Sequence, residues 1–359
     1  MHRSFERLHL HLSRHPMGFP KTASRHELEI LKRVFTREEA EIALSLNLRL
    51  QSVGQLSEKT GIEKEELAKL LANMADKGAI LEHKHKGEEP RYALVSFVPG
   101  IYEFQVQRMD EQVARAFEEI YPDLAKEIAG SSTPWMRVLP AEQSISSMEV
   151  VPYQKASELI SQVETVAITD CICRKEQKLV GRGCDRPRDS ICMYFNLWAE
   201  FVIDKGIGQR AAVADALKVL ERGENAGLVH TGLNVMEQMG GMCQCCPCCC
   251  GVLRSVTEFK LARGVAKSDF YSTVDIDLCN GCESCLAACP VSAISMDDEK
   301  AVVNTAECIG CGMCVVECPT GATSLVAKKQ EDIVPPPRNW TEALLAIGKE
   351  KGKTYFFTK

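Results

Sequence analysis

Cysteine is the residue type in this chain with the clearest chemistry. Eighteen of its 359 residues are cysteine, none precedes Cys171, and they fall into three groups. In the last group, Cys279-x2-Cys282-x2-Cys285-x3-Cys289-Pro290 returns 29 residues later as Cys308-x2-Cys311-x2-Cys314-x3-Cys318-Pro319. Three thiolates at every third residue of a tight loop can point at one metal centre, while the fourth cysteine starts a helix facing the other way. A structural zinc site uses C-x2-C pairs separated by a longer gap, which explains neither the three-cysteine run nor the duplicated Cys-Pro.

Over residues 270–326 this repeat resembles the bacterial two-cluster ferredoxins. The resemblance implies two [4Fe-4S] clusters, because in that family the fourth cysteine of each copy serves the opposite cluster. Carried over by position, Cys279, Cys282, Cys285 and Cys318 would hold one cluster, and Cys308, Cys311, Cys314 and Cys289 the other. Gly281 and Gly310 supply backbone freedom in the loops, and Pro290 and Pro319 fix the turns that follow.

Ten further thiols lie upstream: Cys171, Cys173, Cys184 and Cys192, then Cys243, Cys245, Cys246, Cys248, Cys249 and Cys250. They are too many for one four-coordinate site and enough for two with two left over. No histidine falls among them, so all-thiolate ligation is the natural chemistry, and no C-x-x-C-H marks covalent haem. Soft thiolates select iron-sulfur clusters, zinc or Cu(I), and the pairing of the ten is open. A further iron-sulfur cluster leads, structural zinc follows, and a reactive-thiol or metal-storage role comes last. Gly181, Gly183, Gly240, Gly241 and Gly251 would let backbone N–H groups approach cluster sulfurs, and Arg174 and Arg186 would offset cluster charge.

The chain carries 49 acidic against 43 basic residues and a net charge of −6, so it lacks the basic field of a nucleic-acid coat protein. No run approaches the ~20 apolar residues of a membrane span, and the opening is broken by Arg3, Glu6, Arg7 and Arg14. A cytoplasmic protein is expected, whose thiols meet a reducing medium and serve metals rather than disulfides. No nucleotide-binding or hydrolytic motif is present.

The elements that must carry these residues read as an α+β multidomain chain. After an extension over 1–24, residues 25–100 resemble a winged helix-turn-helix domain. A helix runs from His26 to about Leu46 with a capping box at Thr36, a short one over Leu56–Thr60 stops at Gly61, and a third over Glu63–Lys77 stops at Gly78. Two extended segments, Ala79–His85 and Arg91–Val98, follow. The third helix mixes Glu63, Glu65, Glu66 and Asp76 with Lys64, Lys69 and Lys77, so docking or homodimerisation is expected there ahead of DNA reading. His9, His11, His83 and His85 are expected to be exposed rather than metal-binding.

A connector over 101–147 comprises an amphipathic helix within Tyr102–Ile128 and a loop over Ser131–Ser147. Residues 148–265 read as a small α/β cysteine-rich domain. Its expected parts are a strand at Met148–Val151, a helix over Tyr153–Gln162, a strand over Thr165–Thr169 delivering Cys171 and Cys173, a helix over Arg210–Arg222 and a turn at Gly227–His230. The dicluster ferredoxin fold closes at 326, and 327–359 is a proline linker and a helix that docks on a partner or on the body. The whole chain also resembles ferredoxin-type proteins of anaerobes, through Gly18-Phe19-Pro20, Gly100–Val106, Cys171–Cys192, Gly227–Val229 and Cys243–Cys250, which implies a redox role and an oxygen-poor host.

The leading functional expectation is an iron-sulfur protein relaying single electrons between redox partner proteins and a central cysteine-rich metal site, as a component of an oxidoreductase system. A redox-sensing winged-helix transcriptional regulator and an oxidoreductase with its substrate at the central cluster are the alternatives.

Overall fold

Local sequence signals set the helix boundaries of the N-terminal region. In the computed structural model, which describes residues 3–84, 87–145 and 150–357, helix α1 spans Arg3–Ser13, α2 His26–Val34 and α3 Arg37–Ala43. At the start of α3 the Thr36 hydroxyl accepts the Glu39 N–H, and the Glu39 carboxylate accepts the Thr36 N–H at 2.7 Å. Strand β1 (Gln51–Ser52) leads into α4 (Val53–Thr60), which has its own Ser52/Gln55 capping box and ends at Gly61 with φ +72°. Helix α5 (Lys64–Asp76) buries Leu67, Leu71 and Met74, the 3.6-residue stripe of the sequence. Strands β2 (Leu81–His83) and β3 (Arg91–Ala93) complete a three-stranded sheet in the order β1-β3-β2. His85 lies outside the described residues.

The histidine expectation is corrected. His9 and His11 are buried, not exposed, His9 against Phe19 and His11 against Phe356 of the C-terminal segment, and His83 is part-buried with its Nδ1 3.7 Å from Glu200; His15 is buried as well, beside Phe356. The His11 Nε2–H donates to the Leu46 carbonyl at 3.0 Å, and His15 Nδ1 accepts the Met17 N–H.

Helix α6 (Glu111–Ile128), capped by Asp110, turns Val113, Phe117, Ile120 and Leu124 inward. The expected loop after it instead contains strand β4 (Met136–Leu139), all four residues buried. The five residues between Pro134 and Pro140, four of them in the strand, are too few for alternation to show. The strand expected at Met148–Val151 does not form at Val150 and Val151, and Met148 and Glu149 lie outside the described residues. Then come α7 (Ala156–Ser161), β5 (Val166–Thr169), α8 (Ile172–Leu179), β6 (Cys192–Phe195), α9 (Asn196–Asp204), β7 (Gln209–Ala211), α10 (Val213–Asn225), β8 (Val229–Leu233), β9 (Gly241–Cys245) and α11 (Gly251–Thr257).

The strands form one six-stranded sheet in the order β4-β8-β9-β6-β5-β7. Every pairing in it is antiparallel, so this is not the α/β unit the sequence suggested. Gly227 lies in the turn after α10, while Val229 and His230, expected to lead on into a turn, instead open β8, buried along its length between β4 and β9. Its Val-His-Thr-Gly-Leu order lacks a polar alternation because both faces are covered.

The C-terminal repeat is built from β10 (Phe270–Val274) paired with β13 (Thr323–Ala327), β11 (Ile294–Asp297) paired with β12 (Lys300–Val303), and short helices α12 (Ser284–Ala288) and α13 (Met313–Val316). It is joined to the central sheet by backbone bonds. Val138 N–H donates to Ala266 O at 2.9 Å, and Ala141 N–H to Cys311 O at 3.0 Å. The proline segment pairs with the loop after β8 through Met236 N–H to Pro337 O. Helix α14 (Trp340–Glu350) docks on the body, burying Ala343 and Ile347, while Lys351 Nζ reaches the Glu127 and Met17 carbonyls. No helix among the described residues is long and apolar enough to cross a membrane.

Candidate metal centres

In the C-terminal repeat the structure sorts eight thiols into two cavities. Cys279, Cys282 and Cys285 share one with Cys318 of the second copy, and Cys308, Cys311 and Cys314 share the other with Cys289 of the first. Helices α12 and α13 pack together and carry the exchanged cysteines past each other. The loops make tight turns where glycine is required. Gly310 sits at φ +68°, and a Cβ there would lie 2.3 Å from the Phe270 carbonyl oxygen. The two cavities differ in exposure. Cys308, Cys311 and Cys314 are all buried, Cys311 within the core of the central sheet, whereas of the outer three only Cys285 is buried and Cys282 is exposed, as are the apolar residues Ile276 and Leu278 just before Cys279.

The ten upstream thiols divide into six and four. Cys192 on β6 stands directly opposite Cys243 on β9, and Cys245, two residues on, shares that face. Cys171 and Cys173 arrive where β5 gives way to α8, and Cys250 precedes α11. These six line one cavity of about 110 Å³, to whose wall Cys246 and Cys249 also contribute, against about 20 and 10 Å³ for the two in the repeat. Cys245 and Cys250 Sγ lie 3.0 Å apart, and Thr231 Oγ1 is 3.1 Å from Cys245 Sγ. The thiols share protons unequally. Contact with Cys173 and Cys192 holds Cys171 well below the usual thiol range, while contact with Cys171 pushes Cys173 and Cys192 well above it. So many thiols in contact cannot all ionise without cations among them.

Arg174, 2% exposed, stands between the six-thiol and four-thiol sets. Burial opposes its charge, but Cys171, Cys246, Cys245 and Cys192 overcome that and hold it charged. One Nη donates to the Gln244 carbonyl at 2.8 Å, yet Nε and the other Nη have no hydrogen-bond partner. Orphaned cationic donors among soft thiolates fit an anionic thiolate-metal cluster. The same cavity is lined by Tyr102, Tyr121 and Glu103, whose carboxyl is raised to about 7 by burial although it accepts the Gly100 N–H at 2.7 Å.

The remaining four, Cys184, Cys246, Cys248 and Cys249, place their sulfurs within 4.8 Å of one another, and Cys248 is exposed. Cys184 comes from the loop between α8 and β6, the others from the turn between β9 and α11. Arg186 Nη1 lies 3.8 Å from Cys248 Sγ.

Residues 272–319 match the 4Fe-4S dicluster domain family. The chain therefore carries a C-terminal ferredoxin-type iron-sulfur domain. No curated protein matches the chain. The dicluster domain indicates iron-sulfur chemistry suited to electron transfer, and the tight cysteine group indicates metal binding.

Beyond the cysteines, sequence reasoning missed Tyr102 and Glu103, which reach the cavity from a remote segment, and Tyr194, on β6 two residues after Cys192. For Tyr102 and Glu103 the only signal was the Gly100–Val106 run. The expectation for Gly240 and Gly241 is replaced by a packing reason. A Cβ at Gly240 would meet the Trp198 ring at 2.8 Å, and one at Gly241 the Met193 carbonyl oxygen at 2.7 Å.

Proposed function

We propose that the protein is an iron-sulfur electron carrier whose dicluster domain exchanges single electrons between an external redox partner and the central six-thiol centre. Cys279, Cys282, Cys285 and Cys318 hold the outer cluster, Cys308, Cys311, Cys314 and Cys289 the inner one, and the six-thiol cavity a further iron-sulfur cluster. When bound, these groups supply one-electron carriers in series. The observation that carries the reading is the asymmetric docking of the dicluster domain. The inner thiols are buried where Ala141 N–H binds the Cys311 carbonyl and Ile309 and Met313 join the core of the central sheet. The outer loop faces solvent with Ile276, Leu278 and Cys282 exposed, the place for a protein partner.

The chain's own residues then have defined tasks. Ser144 and Ser268 close over the inner loop, where a Cβ at Gly312 or Gly310 would strike their hydroxyls. Arg174 balances charge at the central cavity. Tyr102, Tyr194 and Tyr121 wall it from water.

A second reading, an oxidoreductase with substrate at the central centre, is favoured by one observation. A neighbouring, largely apolar cavity of about 80 Å³ shares Glu103, Tyr194, Cys192 and Cys243 with the six-thiol one. The N-terminal helices and three-stranded sheet serve in both readings as a winged-helix-like docking module. Lys205 of the central region binds Asp76 at the end of α5 at 2.9 Å and Glu82 of β2 at 2.8 Å. A cytoplasmic setting suits both.

Protein prepared without oxygen tests the main reading through iron, acid-labile sulfide and electron paramagnetic resonance. More than about eight irons per chain and reduced-cluster signals are expected, since two [4Fe-4S] clusters account for eight. Well under eight irons with no reduced-cluster signal would overturn it.

A further inference from the structure

The four-thiol group has the dimensions of a different kind of site from its neighbours. A single tetrahedral ion with metal-sulfur bonds of about 2.3 Å sets its sulfurs about 3.8 Å apart. In the structure Cys184 and Cys246 Sγ are 3.9 Å apart, Cys184 and Cys249 3.6 Å, and Cys248 and Cys249 3.7 Å. The thiolates of a cubane cluster are each held outward by an iron corner of a polynuclear core, so they cannot close to one-ion spacing. Among the described residues, no other set of three or more cysteine, histidine or carboxylate side chains brings all its ligand atoms within 4.8 Å of one another, Cys245 and Cys250 at 3.0 Å being an isolated close pair. The dicluster thiols, in the same chain, instead surround cavities.

We propose that Cys184, Cys246, Cys248 and Cys249 bind one zinc ion as a structural clamp, separate from the iron-sulfur chemistry of the six-thiol cavity. The donor set is four thiolates with no carboxylate, imidazole or open position, the composition of a closed structural site. Zinc has no redox chemistry, so it keeps the same charge and shape while electrons pass nearby. Four thiolates on a divalent ion leave a net charge of −2, and Arg186 beside Cys248 and Arg174 beside Cys246 face it.

The position explains why a clamp is needed. Its ligands are threaded between those of the cavity. Cys184 lies between Cys173 and Cys192, and Cys246, Cys248 and Cys249 lie between Cys245 and Cys250. One ion here ties together the two segments that carry all six cavity thiols. The loop around Cys184 forms neither helix nor strand between α8 and β6, and Gly181, Asp185 and Arg186 are exposed; its ends are held by the Arg182–Glu118 ion pair and the Cys171 N–H bond to the Arg188 carbonyl, so the ion would fix its middle. The inference stands on sulfur geometry and does not depend on what the cavity holds.

The test measures zinc and iron in the same anaerobically purified full-length protein, and X-ray absorption at the zinc edge. About one zinc per chain, bound by four sulfurs at about 2.3 Å, is expected. Cys184→Ser and Cys248→Ser should each lower zinc several-fold while the dicluster resonance signals persist, and Cys282→Ser should leave zinc unchanged. Absence of zinc, a zinc shell with nitrogen or oxygen ligands, or iron in place of zinc in these four thiolates would overturn the proposal. If the serine variants do not fold, the wild-type zinc-edge measurement still decides. Loss of the electron-transfer reading would show as missing iron with zinc intact, and loss of the clamp as missing zinc with dicluster iron intact.

Discussion

Single residues in this protein show how burial reverses an expectation from composition. His15 sits under Phe356 and near Lys351 and Lys353, and burial first, then those cations, lowers its pKa to about 3. His9 and His11 are lowered too, chiefly by burial. The sign follows from linkage: the unfolded histidine takes a proton near pH 6.5 while the folded one refuses it. Their stabilising contribution is therefore present above about 6.5 and declines as pH falls toward the folded value. For His15 alone the loss reaches roughly 1.4 kcal/mol one unit below 6.5. Hydrogen exchange of residues 3–13 and 351–357, corrected for intrinsic rate, should show faster opening at pH 5.5 than at 7.5, with a shallower dependence in His15→Gln. Equal protection at both pH values would refute this.

At the scale of elements, close approach decides which loops can carry thiols. Gly310 and Gly321 have nearly the same φ, +68° and +67°, but only the first is crowded, with the Ser268 hydroxyl 2.1 Å from a would-be Cβ. Gly321 has nothing within 4 Å. Gly321→Ala should cost only the left-handed penalty, about 1–2 kcal/mol. Gly310→Ala adds a clash with backbone that cannot yield, typically 1–3 kcal/mol more, and displaces the loop bearing Cys308 and Cys311. Iron should fall by about four per chain in Gly310→Ala and stay at the wild-type level in Gly321→Ala. Matching iron contents in the two variants would mean that the Ser268 contact does not position the inner loop. The helix-turn order from His26 to Gly78 was legible because Thr36, Gly61 and Gly78 are local signals acting within one turn, whereas helix α1 and the start of α4 at Ser52 were not read. Strands β4 and β8 were not, because they are short and held by partners from other parts of the chain.

Across the whole molecule, the outer face of the dicluster domain is acidic. Asp275, Asp277, Glu283, Asp297, Asp298 and Glu299 are exposed around the outer loop and the apolar pair Ile276 and Leu278. A partner with a basic rim around an apolar centre fits this face, and salt should slow its encounter by screening. Reduction by such a protein donor, followed in a stopped-flow spectrometer, should slow with rising ionic strength, whereas reduction by dithionite in a charge-reversed variant such as Asp277→Lys should stay near the wild-type rate. A salt-independent protein-donor rate would place the entry point elsewhere.

What could be read directly from the chain was the local part: the 29-residue return of Cys-x2-Cys-x2-Cys-x3-Cys-Pro, the capping box at Thr36 and the absence of histidine among the thiols. Each of these is a matter of spacing within a few residues, so no distant contact is needed to see it. The grouping of four upstream cysteines at single-ion spacing, two of which also border the cavity lined by the other six, came only from folding. Neighbours in sequence part company there. Cys245 points across the sheet toward Cys250 while Cys246, the next residue, closes on Cys184 from 62 positions away. Alternation along β9 and the turn before α11 aim successive thiols in different directions, and those directions depend on strands and helices contributed by the rest of the chain.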